Sequence, residues 1–311
     1  MIIDNKEAFE KYYQAEYDYN TSTLTEEEVF AIKELAREKR VNYALAPIGE
    51  KIFDWISEQN ADIHFEMVDL ESDKIDGMLY IPVTGSAKAY IILNSNKPLI
   101  NQIFTAAHEY YHYIKDYAMI KETPYICNFN ALEGVNEKKA SRFAAEFLLP
   151  EDALRNEIRI MHKNMNGLDE TKHDFEFYAA ISIMLTVKYQ MPLKAVIYRL
   201  HEEAYINDIS QYIENYEFIK SVLRELKIFE KKVGYLYSNE NHHFDIYGNI
   251  YRQMKSAYDT GYAAREEILR DAETLKLDNQ IVNDFFDNTE EEDKDDDLEM
   301  QKLLEKLWGD E

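Results

Sequence analysis

The most specific chemistry in the chain lies between residues 108 and 112, which read His108-Glu109-Tyr110-Tyr111-His112. On a helix, positions i and i+4 share a face one turn apart, so both imidazoles can reach one cation. Zinc favours nitrogen ligands in a tetrahedral arrangement, and a catalytic site keeps one position for water. Glu109 sits beside the first histidine and can take a proton from that water, whose pKa the metal lowers toward ~7. The motif therefore reads as two metal ligands and a general base of a hydrolase. The plainer alternative is a pair of histidines on a solvated helix face.

Two ligands do not complete such a site. Glu133, Glu137, Glu146 and His162 are the candidates for a third. Glu137 is preferred because it opens a second strong helix, and Ala140, Ala144 and Ala145 follow it. Small side chains let that helix approach the motif helix closely. Taken alone, Glu137 is also an ordinary first-turn acid favoured by the helix dipole.

The surrounding elements can be read from periodicity. Helical spacing runs from Leu99 to about Ala118 and carries the motif; Ile103, Phe104 and Ala107 supply its packing side. Upstream, Thr25 and Glu28 form a capping box ahead of an apolar stripe of Val29, Ile32, Leu35 and Ala36. Ile48, Ile52, Phe53 and Ile56 mark another helix after Pro47, and residues 1–20 read as the start of one more. Between these helices and the motif, residues 62–68, 76–83 and 88–94 are strand-like, with turn chemistry at 84–87. They predict a small antiparallel sheet with a hairpin between the last two strands. Beyond Pro150 the chain is nearly all helical to about residue 285, broken at residues 164–174 and 237–249. Residues 284–299 are an acidic block unable to bury enough apolar surface to order itself; Leu298, Leu303, Leu304, Leu307 and Trp308 form a short amphipathic end, either a frayed tail or a tethered docking helix.

Composition narrows the function classes. The net charge is −25 over 311 residues, a surface that repels phosphate backbones and anionic lipids. Neither nucleic acid nor membrane is an expected direct partner. The single cysteine, Cys127, allows no internal disulfide and no cysteine-based metal site. The first residues are charged from Asp4 onward and lack a signal-peptide core, and no apolar stretch approaches the ~20 residues needed to span a bilayer. A cytoplasmic protein is expected. The His242–His243 pair reads as part of a polar loop, and His64, His162, His173 and His201 carry no ligand spacing.

Residues 104–112 (FTAAHEYYH) and 137–150 (EKKASRFAAEFLLP) resemble the ImmA/IrrE metallopeptidases. Residues 76–94 fit the strand pair that precedes the motif in that family, and residues 183–206 loosely resemble its helix-turn-helix-like segment. The resemblance implies a zincin-like fold, Zn2+ held by His108, His112 and Glu137, and Glu109 as the catalytic residue. It also implies a protein substrate, typically a helix-turn-helix repressor whose cleavage derepresses mobile-element or stress genes. Two departures stand out. Tyr110 and Tyr111 replace residues that are often small, and Ser141 replaces the usual Asn or Asp, which weakens a supporting hydrogen bond to a ligand. Zincin-like peptidases pair an edge strand with the substrate backbone, and residues 89–94 are the candidate here. In the helix-turn-helix-like segment Lys194 and Arg199 are offset by Glu202 and Glu203, a poor footprint for DNA.

The expected class is α+β: a zincin-like core with a small antiparallel sheet, then a mostly helical C-terminal region. The expected divisions are an N-terminal helical segment (1–58), the peptidase core (59–150), a helical region (151–283) and the acidic tail (284–311). The expected activity is zinc-dependent endopeptidase. The rival is a non-catalytic zinc-containing interaction module that sequesters a partner or serves in a toxin–antitoxin pair.

Overall fold

The computed structural model describes residues 24–41, 43–60, 62–70, 75–82, 89–122, 134–164, 174–226 and 230–238, then 254–255, 257–258, 260–274, 282–283 and 286. Residues 1–20, the turn at 84–87, Cys127, Glu133, His173, the pair at 242–243 and the tail from 287 lie outside them.

The chain divides into two compact units, Met1–His243 with Asp297–Glu311, and Phe244–Asp296. In the first, helix α1 (Glu26–Lys39) starts at the Thr25 capping box, with Thr25 N–H donating to Glu28 (2.9 Å) and Glu28 N–H to the Thr25 hydroxyl (3.2 Å). Its apolar stripe buries Ile32, Leu35 and Ala36. A short 3-10 turn (Gly49–Lys51) leads into α2 (Ile52–Gln59). Gly49 has φ +52°, and a Cβ there would meet the Gln190 side chain, whose Oε1 accepts from Glu50 N–H at 2.8 Å.

Strands β1 (Ile63–Val68), β2 (Gly77–Tyr80) and β3 (Ala89–Asn94) form a three-stranded sheet in the order β1-β3-β2. β2 and β3 are antiparallel, as the hairpin pattern predicts, but β1 runs parallel to β3. The expected all-antiparallel sheet is therefore a mixed one, and β3 is its centre rather than an edge. The reason lies in the apolar run AYIILN, whose alternate residues Ala89, Ile91 and Leu93 are completely buried. Such a run suits a strand flanked on both sides, whereas period-two patterning in residues 62–68 specifies a strand without its direction.

Helix α3 (Leu99–Lys115) carries the motif, α4 (Tyr117–Glu122) follows, and α5 (Gly134–Leu148) packs against α3. Then come α6 (Glu151–Asn164), α7 (Asp174–Tyr189), α8 (Leu193–Glu202), α9 (Ile209–Glu214), α10 (Tyr216–Glu225) and α11 (Glu230–Tyr237). An aromatic cluster locks α2, α3 and α5 together: Trp55 meets Tyr110 edge-on at 5.5 Å and Phe147 at 5.1 Å, while Phe143 stacks on Phe147 at 5.5 Å. Tyr110 and Tyr111 are both buried in this packing.

A buried ion network joins α5 to α1 and α8. Arg199 is wholly buried; it donates to the Leu149 carbonyl at 3.2 Å and pairs with Glu146 and Glu203. Arg142 pairs with Glu203 at 2.6 Å and with Glu202, and Lys33 reaches Glu203 at 2.9 Å and Glu151 at 2.8 Å. Arg199, one of the two basic residues of the helix-turn-helix-like segment, is thus held inside the protein. Among the described residues no helix is long and apolar enough to cross a membrane.

The second unit contains α12 (Arg265–Thr274). Ile268 and Ala272 pack with Met254 and Val282, and the Arg265 guanidinium lies 4.5 Å over the Phe286 ring.

Candidate metal centre

Three elements build the site: α3, α5 and β2. α3 is buried on nearly every side from Leu99 to His112, which sets its rotation and sends His108, Glu109 and His112 into the interior. Ala140 and Ala144 on α5 are completely buried, and these small side chains admit close packing on α3. Lys139 of α5 pairs with Glu28 of α1 at 2.8 Å, which anchors the first turns of α5. Gly77 opens β2 where α3 crosses it; a Cβ there would lie 2.5 Å from the Ile92 carbonyl and 2.6 Å from Thr105 Cγ2.

His108, His112 and Glu137 come together, with one ligand atom from each lying within 4.8 Å of the others. His108 Nε2 is 3.1 Å from Glu137 Oε2 and 3.2 Å from His112 Nε2; His112 Nε2 is 3.4 Å from Glu137 Oε1. The histidines are buried, while the Glu137 side chain keeps 39% of its surface, an opening on one side. Two imidazole nitrogens facing each other at this distance repel unless a proton or a cation lies between them. Two nitrogens and a carboxylate oxygen converging on one point fit the donor set of zinc. Among the four candidates for the third ligand, Glu137 is the one brought to the histidines. Glu146 is tied to Arg199, His162 lies against Phe177 with ring centroids 4.4 Å apart, and Glu133 is outside the described residues.

Glu109 is buried beside the pair, and burial raises its pKa against the opposing pull of the two imidazoles. Its carboxylate accepts the Leu79 amide of β2. Burial alone would depress His112, yet its hydrogen bonds to Asp116 and Glu137 outweigh this and push it up to about 10. Burial would likewise raise Glu137, but the two imidazoles hold it well below the usual carboxylate range.

Two supporting groups complete the arrangement. Asp116 Oδ2 is 2.7 Å from His112 Nδ1, and Ser141 Oγ is 3.4 Å from His108 Nδ1. Ser141 thus reaches His108 at the long limit of a hydrogen bond, in keeping with the weak support expected of a serine at this position. Asp116 escapes a reading of the motif, although its place four residues after His112 on the same helix face was the signal for it. The other histidines go elsewhere: His64 packs on Tyr90 at 5.8 Å and His201 Nδ1 meets the Ile206 carbonyl at 2.8 Å.

The register also shows which strand borders the site. Asn94 N–H donates to the Asp76 carbonyl at 2.8 Å, so the alternation turns the main-chain groups of Gly77 and Leu79 away from β3. Among the described residues no strand covers that side of β2. The edge beside Glu109 is β2, which replaces residues 89–94 as the candidate for backbone pairing.

The family model of the IrrE N-terminal-like domain of M78 peptidases matches residues 58–201. No curated protein and no solved structure matches the chain.

Proposed function

We propose, from the match of residues 58–201 to the IrrE N-terminal-like domain, that the chain is a zinc-dependent endopeptidase of the ImmA/IrrE kind whose metal ligands are His108, His112 and Glu137. The observation that carries this reading is the convergence of those three side chains beside a buried Glu109. Zinc, when bound, polarises the scissile carbonyl and acidifies the attacking water. Glu109 takes the proton as the water oxygen bonds to the carbonyl carbon, and delivers it to the amide nitrogen as the C–N bond breaks. Burial raises the pKa of this carboxylate, which favours its taking up the proton before handing it on. The Leu79 amide holds its oxygen in place. An extended peptide adds as a further strand to the side of β2 turned away from β3, which brings its backbone across the site.

The substrate is a helix-turn-helix repressor, whose cleavage relieves repression of mobile-element or stress genes. This finer assignment rests on the resemblance of residues 104–112 and 137–150 to the family. A basic protein suits the −25 charge of this chain.

The test pairs elemental analysis with proteolysis of small repressors encoded beside the gene. Wild type should carry about one zinc per chain and cut one of them, and Glu109→Gln should keep the zinc and lose the cut. Full biological activity of Glu109→Gln would instead favour the interaction module, and wild type unable to take up zinc would remove the enzyme reading.

A further inference from the structure

An imidazole offers one ring nitrogen to a metal while the other carries the proton, and the group accepting that proton sets tautomer and ring orientation. His112 has such a partner of unusual closeness: Asp116 Oδ2, 2.7 Å from Nδ1, with the carboxylate largely buried. The partner is itself well anchored. Asp116 ends α3, where its N–H donates to the His112 carbonyl at 2.8 Å and its own carbonyl accepts from Ile120 N–H at 2.9 Å. The turn between α3 and α4 thus holds the carboxylate one helical turn from the histidine it faces. Across the site, the matching position toward His108 is a neutral hydroxyl, Ser141, at 3.4 Å.

We infer that Asp116 is a positioning residue of the metal centre, a role that rests on the zinc reading above. It accepts Nδ1–H of His112, leaves the Nε2 lone pair aimed at the point shared with His108 and Glu137, and strengthens that nitrogen as a donor. The support comes from the motif helix itself and not from the helix that brings the third ligand. One ligand is therefore oriented within α3, and the packing of α5 supplies Glu137 to a pair already half arranged.

The experiment is zinc affinity by competition with a chromophoric chelator, on full-length wild type, Asp116→Ala, Asp116→Asn and Ser141→Ala, with the visible spectrum of the Co2+-loaded chains as a second readout. Asp116→Ala should bind zinc about 10- to 100-fold more weakly and shift the cobalt bands. Asp116→Asn should fall between it and wild type, because its amide oxygen still accepts from Nδ1–H but has no charge. Ser141→Ala should lose less than Asp116→Ala. Asp116→Asn also covers the case in which Asp116→Ala fails to fold. Affinities and spectra of the Asp116 variants equal to wild type would overturn the inference while leaving the zinc centre standing. Wild type that takes up no metal would overturn both.

Discussion

Glu109 and Glu137 lie within one cluster and do opposite things, because their surroundings differ. Glu109 is enclosed, with one backbone amide to hold it, and burial lifts its proton affinity. Glu137 meets both imidazoles at 3.1 and 3.4 Å, and they keep it ionised despite its partial burial. One carboxylate is thereby suited to carry a proton and the other to hold a cation. Two outcomes follow at this scale. Glu109→Gln should lower kcat by about 10²–10⁴ with zinc content unchanged, measured by single-turnover cleavage beside elemental analysis. Glu137→Ala should purify without stoichiometric zinc; retention of one zinc per chain would move the third ligand to another residue. The histidines were legible because i,i+4 spacing puts both on one helix face, and Glu109 because it adjoins the first of them. The third ligand was a choice among four residues, since spacing within one helix says nothing of what a neighbouring helix brings.

The position of α3 over the sheet depends on a missing side chain. Gly77 allows the helix to rest on β2 with Thr105 against the backbone. Gly77→Ala should overpack this contact and destabilise the fold by about 1–3 kcal/mol, read from the midpoint of urea unfolding. Because β2 supplies the amide held by Glu109, the same variant should also lower activity in the chain that remains folded. At α1, Thr25→Ala removes the hydroxyl that accepts from Glu28 N–H and should cost about 1 kcal/mol. The capping box, the motif helix and the three strands were all readable from local patterns. The parallel pairing of β1 with β3 was not, because alternation of side chains is the same for either strand direction. The error had a functional consequence, since the strand that borders the site is the edge and not the centre.

Within the first unit, the ion network centred on Arg199 links helix α1, the helix of Glu137 and the helix-turn-helix-like segment. Glu203, half enclosed between Arg199, Arg142 and Lys33, has its pKa lowered to about 2: burial would raise it, but Arg199 and the other cations prevail. A depressed carboxylate stabilises the folded state fully above its unfolded value, near 4.5, and loses that contribution as pH falls toward 2. Stability should therefore drop across that window. Glu203→Gln should weaken the fold at neutral pH by about 3–5 kcal/mol, since it leaves buried cations short of a partner, and should flatten the acid slope between pH 4.5 and 2. Equal slopes in wild type and variant, from urea unfolding across that range, would assign the acid sensitivity to other groups.

By itself, the order of residues determined the helix with its two histidines and base, the cap of α1, the existence of three strands and a mostly helical remainder. These are short-range properties, written in spacings of two, three and four residues. Tertiary structure alone decided that Glu137 and not Glu146 joins the histidines, because Glu146 is drawn to Arg199 on the far side of the same helix. It also decided that Arg199 is internal and that β3 lies between β1 and β2. Each of these depends on which distant segment packs where, a balance of burial and charge summed over the whole unit.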